Sequence, residues 1–131
     1  MNKVEIKEYL AKYNTQNKIN RLAKLYKGKK VAIYGAGLIS NEVFENYDLS
    51  KLTIVAVADM KFKDVENREF FGYNCIPSEE LANIDCDVIL VANLKYNYFL
   101  NILDTEILPK SKNEKVTVRP LIKLSFRDLF I

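Results

Sequence analysis

The sequence contains no histidine. Ordinary imidazole-based zinc sites and Ser/His or Cys/His catalysis are therefore excluded. Its two cysteines, Cys75 and Cys86, are not arranged as C-x-x-C. Nothing in their number or spacing points to a secreted disulfide scaffold, and they read as reduced thiols. No apolar run approaches the length of a membrane-spanning helix. The amino terminus, MNKVEIKEYLAKY, carries charges throughout, unlike a signal peptide, so a cytoplasmic location is the expectation. Arginine is scarce where basic charge concentrates. Residues 1–30 hold nine Lys/Arg against two Glu, a net +7, yet Arg21 is the one arginine among them; the remainder has eleven basic and fifteen acidic residues, a net −4. Such lysines suit a solvated helix face better than a nucleic-acid interface, which is disfavoured.

What is present suits one globular domain. The chain has 131 residues, 49% of them apolar, enough for a core of its own. It is organised around VAIYGAGLIS, Val31 to Ser40. Val31 to Tyr34 has the length of a buried strand, and Gly35-Ala36-Gly37 follows. Leu38, Ile39, Val43, Phe44 and Tyr47 then recur at helical spacing. Strand, glycine turn and helix form the first half of a dinucleotide-binding unit. The first glycine permits the sharp turn and the second lets a pyrophosphate approach the main chain. The helix start, Leu38 and Ile39, offers unpaired N–H groups and the positive dipole end. The fingerprint lacks its third glycine, where Ser40 stands; that position serves helix–strand packing, and a serine is small. Asp59 ends a second apolar run, Ile54 to Ala58, twenty-two positions after Gly37. A carboxylate at that strand end accepts ribose hydroxyls and repels a 2′-phosphate, favouring NAD over NADP.

The other segments follow the same alternation. Ile6, Tyr9, Leu10 and Tyr13 lie on one helix face; Ile19, Leu22, Leu25 and Tyr26 lie on another, with a polar break at Asn14 to Asn17 and a stop at Gly28. The charged stretch after Asp59 has no strong pattern. Asn74 to Ile76 reads as a short strand, and Pro77 and Ser78 as the start of a helix. Asp87 to Ala92 is the next buried strand, closed by Asn93. A helix with Leu94, Tyr98, Phe99, Ile102 and Leu103 follows and ends at Pro109. Lys115 to Val118 is a last short strand, and Ser125 is placed to cap a short final helix. The fold expected is α/β: a single Rossmann-like domain with a mainly parallel sheet over residues 29–131, preceded by an arm of two short helices, 1–28. Gly35, Asp59 and Asn93 would share one sheet edge, where such folds bind ligands.

These pieces resemble a known group of small Rossmann domains: the amino-terminal domains of capsule-type nucleotide-sugar dehydratases and epimerases, and of sugar acetyltransferases, in bacterial surface-polysaccharide synthesis. The matching segments are KKVAIYGAG, IVAVAD, FGYNCIPSEEL and DCDVILVAN, spanning about Lys29 to Leu103. The same motifs occur in CoA-binding domains and redox-sensing repressors. The resemblance implies a nucleotide ligand, NAD or a nucleotide-sugar. Gly35, Ala36 and Gly37 would face the pyrophosphate, Asp59 the ribose, and Asn93 the bound nucleotide. The acetyltransferase relatives carry a histidine near this turn; its absence here means that their chemistry does not carry over. Tyr47-Asp48-Leu49-Ser50-Lys51 matches the Tyr-x-x-x-Lys of short-chain dehydrogenases, but only ten residues past Gly37, so it is set aside as chance. A binding module without catalysis of its own is the expected function. The alternative is a small NAD-dependent oxidoreductase or isomerase acting on a nucleotide-linked sugar. The apolar tail LIKLSFRDLFI, with seven apolar residues among eleven, raises the further expectation that the ends dock on the sheet or form a homodimer.

Overall fold

The computed structural model of the chain describes residues 2–66, 68–111 and 115–122. Helix α1 spans Lys3–Lys12, and the Asn2 side chain caps it by accepting from the Glu5 amide at 2.9 Å. The chain breaks at Asn14, whose φ of 55° ends one helix and begins the next, α2 (Thr15–Leu25). Asparagine tolerates this left-handed conformation better than most residues. The buried Thr15 hydroxyl donates to the Leu10 carbonyl at 2.5 Å across the break. Ile6, Tyr9, Leu10 and Ile19 face inward as their spacing predicts, but Leu25 does not: it is 67% exposed, and the smaller Ala23 is buried instead. The helix turns its Thr15, Ile19 and Ala23 stripe to the core, which carries Leu25 round to solvent.

Five strands follow: β1 (Lys30–Tyr34), β2 (Thr53–Ala58), β3 (Cys75–Ile76), β4 (Val88–Val91) and β5 (Thr117–Pro120). They pair in the order β3-β2-β1-β4-β5, and every pairing is parallel. Helix α3 (Leu38–Asn46) connects β1 to β2. Helix α4 (Tyr96–Ile102) follows β4 and widens into a π-type turn over Leu103–Ile107 before a short 3₁₀ turn at Leu108–Lys110. The sequence-expected helix at Pro77 and Ser78 is a single 3₁₀ segment, Ser78–Ala82, and not an α-helix. The segment runs for five residues and gives way at Asn83 to the turn that leads into β4, too short a run for a stable α-helix.

Both faces of the sheet are covered, so β1 and β4 are apolar runs without alternation. Val31, Ile33, Val88 and Leu90 pack on the side of α1, α2 and α3. Ala32, Tyr34, Ile89 and Val91 pack on the side of Leu81, Leu103 and Ile107. Each large side chain removed from water contributes about 1.5–3 kcal/mol. The loop after α3 is tied back to α2: Gln16 Nε2 donates to the Asp48 carbonyl, and the Asp48 amide donates to Gln16 Oε1, both at 2.8 Å. The charged excursion between β2 and β3 is anchored by aromatic rings. Phe44 of α3 packs against Phe70, Phe71 and Tyr73 with centroids 5.1, 5.8 and 5.2 Å away. Leu121 and Ile122 are buried in the core, whereas the expectation for a final helix capped by Ser125 lies outside the described residues. Among the described residues no helix is long and apolar enough to cross a membrane.

Both cysteines are buried free thiols. A thiol reagent added to the folded protein is expected to label neither Cys75 nor Cys86 until denaturant is present, because reaction needs an accessible thiolate. Stoichiometric labelling of the native chain would contradict this packing.

Candidate functional site

Register places three strand ends together. Tyr34 is level with Ala58 on one side and Val91 on the other, so Gly35, Asp59 and the Ala92-Asn93 step share one edge. Successive strands run outward from β1 to β3, then the chain returns to β4 on the far side of β1. The order reverses between β1 and β4, and this is the point where open α/β sheets form a ligand crevice. Asp85 and Asp87 lie at the opposite edge, beside the start of β1. There Asp87 Oδ2 accepts from the Lys30 amide at 2.8 Å and Asp85 pairs with the Lys30 ammonium.

The two glycines of the turn do different work. Gly35 has φ +119°, and a Cβ placed there would sit 2.8 Å from the Ala92 carbonyl oxygen. Its amide donates to the Ala58 carbonyl at 2.8 Å, and the Ala92 amide donates to the Tyr34 carbonyl at the same distance. Gly35 is therefore required by the fold, as the residue that lets β4 close on β1. Gly37 has φ −92° and caps α3, and an added Cβ would meet nothing within 4 Å. Neither backbone conformation nor packing demands a glycine there; the space in front of it is open. Among the described residues no side chain caps α3, so its first-turn amides, at Leu38 and Ile39, lack a capping acceptor there. Ser40, at the missing third glycine, is completely buried, and among the described residues its Oγ has no hydrogen-bond partner.

Ala36 is held from both sides by the end of β2. Its amide donates to Asp59 Oδ2 at 2.7 Å, while its carbonyl accepts from the Lys61 ammonium. Asp59 Oδ1 accepts from the Lys61 amide at 3.0 Å and caps a 3₁₀ turn, Met60–Phe62. Asn93 Oδ1 accepts from the Lys95 amide at 2.9 Å and fixes the loop after β4.

Two cavities flank this turn. The smaller, about 210 Å³, lies at the strand-order reversal and is lined by Gly37, Leu38, Ile39, Asn93, Leu94 and, from α1, Ile6. The larger, about 690 Å³, opens on the other side of the turn. Tyr34 and Ser78 line it with hydroxyls, and Glu79, Glu106, Lys63 and Lys110 add charge. Met60 and Tyr98 also line it, though they are 70% and 61% exposed. Burial pushes the Tyr34 phenol up to about 12, more than offsetting the hydrogen bond to Ser78, so it stays protonated at neutral pH. All seven residues expected from sequence, Gly35 to Ile39, Asp59 and Asn93, lie on this one edge. Tyr34, Lys61, Ser78 and Ile6 escaped the sequence reading. Tyr34 read as strand and Ser78 as a cap, Lys61 stood in an unpatterned charged stretch, and Ile6 belongs to a helix distant in sequence. Among the described residues no group of acids and thiols is placed to hold a metal ion.

A doubly flanked parallel sheet with this strand order and glycine turn defines a Rossmann-like domain. A family described as C2185-like, N-terminal, matches residues 27–108, and the chain belongs to it. No curated protein matches the chain. Among solved structures it is similar to L-tryptophan dehydrogenase from Nostoc punctiforme, with 15% identity and a TM-score of 0.38, over 87% of this chain and 32% of that one. The chain thus spans about a third of that protein's length.

Proposed function

We propose that this domain is a nucleotide-binding module. Phosphate would lie over Gly37 at the amino end of α3, with the ring and ribose portion in the larger cavity beside Asp59 and Tyr34. The observation that carries this reading is Gly37: a glycine that the fold does not need, facing open space and lining the smaller cavity at the reversal of strand order. A side chain there would fill the approach that a phosphate requires. Both Asp59 oxygens already accept backbone amides, and each keeps a lone pair for a ribose hydroxyl. NAD and a nucleotide-sugar are the ligands proposed, and the resemblance of KKVAIYGAG and its companion segments favours a place in bacterial surface-polysaccharide or sugar metabolism. Catalysis is not part of the proposal. The apolar tail motivates a homodimer as the companion proposal, tested by light scattering of the full chain.

Calorimetry of the folded protein against NAD, NADP, a UDP-hexose and CoA tests the reading. Heat is expected with NAD or the UDP-hexose, and NAD is expected to bind more tightly than NADP because Asp59 opposes the extra phosphate. Absence of heat with all four would remove the nucleotide reading. A preference for NADP would remove the role of Asp59 alone.

A further inference from the structure

We infer that Lys61 is a phosphate-contacting residue of this site, and that the ligand it serves carries a diphosphate. The inference rests on the nucleotide reading above. Three contacts hold the Lys61 side chain over the turn. Its ammonium donates to the Ala36 carbonyl, and it stands 5.5 Å from the ring centroids of both Phe62 and Phe70. Its own amide is fixed by Asp59. Among the described residues, no carboxylate lies within ion-pair distance of this ammonium. It is an exposed cation whose partners are one carbonyl and two ring faces, none of which neutralises it. The turn therefore offers two separate sources of positive potential. One is the uncapped start of α3 at Gly37 and Leu38; the other is Lys61, reaching Ala36 from the end of β2. A diphosphate crossing the turn engages both. An ammonium that turns from a neutral carbonyl to a phosphate oxygen gains a charge-assisted bond without moving its backbone.

Titration of the full chain with ADP, UDP, adenosine and uridine, in wild type, K61M and K61R, tests this. Because Lys61 is exposed, both variants are expected to melt with the wild type. K61M is expected to weaken the diphosphate that wild type binds by about tenfold or more, and to flatten the salt dependence of that binding, while the matching nucleoside is unaffected. K61R, which keeps the charge, is expected to retain most of the affinity. Unchanged diphosphate binding in K61M would overturn the inference and leave the nucleotide reading standing. An equal loss for the nucleoside would also overturn it, since Lys61 would then only hold the turn. A loss seen solely with adenosine 2′,5′-bisphosphate, added as a further ligand, would move Lys61 to the ribose end and overturn it too. If wild type binds neither diphosphate, this inference falls, while the nucleotide reading stands or falls with NAD, NADP, the UDP-hexose and CoA.

Discussion

Replacing Gly35 by alanine is expected to cost about 3 kcal/mol or more and to lower the melting temperature by about 10 °C. Two penalties combine. The residue is held at φ +119°, which an L side chain rarely adopts, and the new methyl would meet the Ala92 carbonyl oxygen at 2.8 Å. That oxygen belongs to the backbone at the end of β4 and cannot swing aside as a side chain does. Relief requires separating β1 from β4, the two strands at the centre of the sheet. Gly37→Ala is the control. With φ −92° and nothing within 4 Å of the added methyl, its stability is expected to stay within about 1 kcal/mol of wild type, the poorer helix cap that alanine makes being offset in part by the stiffer unfolded chain. Its nucleotide affinity is nevertheless expected to fall, because the methyl occupies the phosphate approach. Urea unfolding and calorimetry of both variants separate the two roles. Equal stability loss in both, or full binding by Gly37→Ala, would contradict the division of labour.

The second large effect is alkaline. Burial pushes the Cys86 thiol from its ordinary 9.0 up to about 11, and the Tyr34 phenol from 10.0 up to about 12. Below pH 9 both groups are protonated in the folded and the unfolded chain, and neither makes stability depend on pH. From pH 9 to 11 the unfolded chain releases the Cys86 proton while the folded chain keeps it; from pH 10 to 12 Tyr34 behaves likewise. The unfolded state then binds fewer protons, so stability falls as pH rises through these windows. At roughly 1.4 kcal/mol per unit, each group is expected to remove about 3 kcal/mol by the upper end of its window. Urea unfolding from pH 8 to 12 checks this in wild type, Cys86→Ala and Tyr34→Phe. Each variant should lose stability less steeply than wild type over the window of the missing group. Curves parallel to wild type would refute the assignment.

The glycine turn and its partners were legible because chemistry and position coincide in the sequence. An apolar run followed by Gly35-Ala36-Gly37, and others ending in Asp59 and Asn93, place their terminal residues on one edge once the sheet is parallel. Lys61 was not legible. Its meaning depends on the contact with Ala36, 25 residues earlier, and nothing in a stretch holding Lys61, Lys63, Asp64 and Glu66 singles out one charge. The larger cavity was hidden for a similar reason. It is assembled from β1, the segments after β2 and β3, and the widened turn after α4, and no local pattern announces such a convergence. Leu25 was misplaced because helical periodicity identifies a stripe but not which edge of it is left wet. Conversely, Ser40 was read correctly as a packing residue, since a buried position against a strand needs only a small side chain.

The place of β1 in the sheet has a consequence for how the protein is made. It is the third strand in space but the first in sequence. Its amino end is secured by Asp87, 57 residues downstream of Lys30, and its carboxyl end by Ala92. A ribosome that has delivered α1 to β2 has supplied one neighbour for β1 and leaves its other flank unpaired until Val91 emerges. Parallel pairing over such separations carries a loop-closure cost before any hydrogen bond repays it. The glycine turn, whose Gly35 backs onto Ala92, therefore acquires its final shape only once β4 has paired with β1.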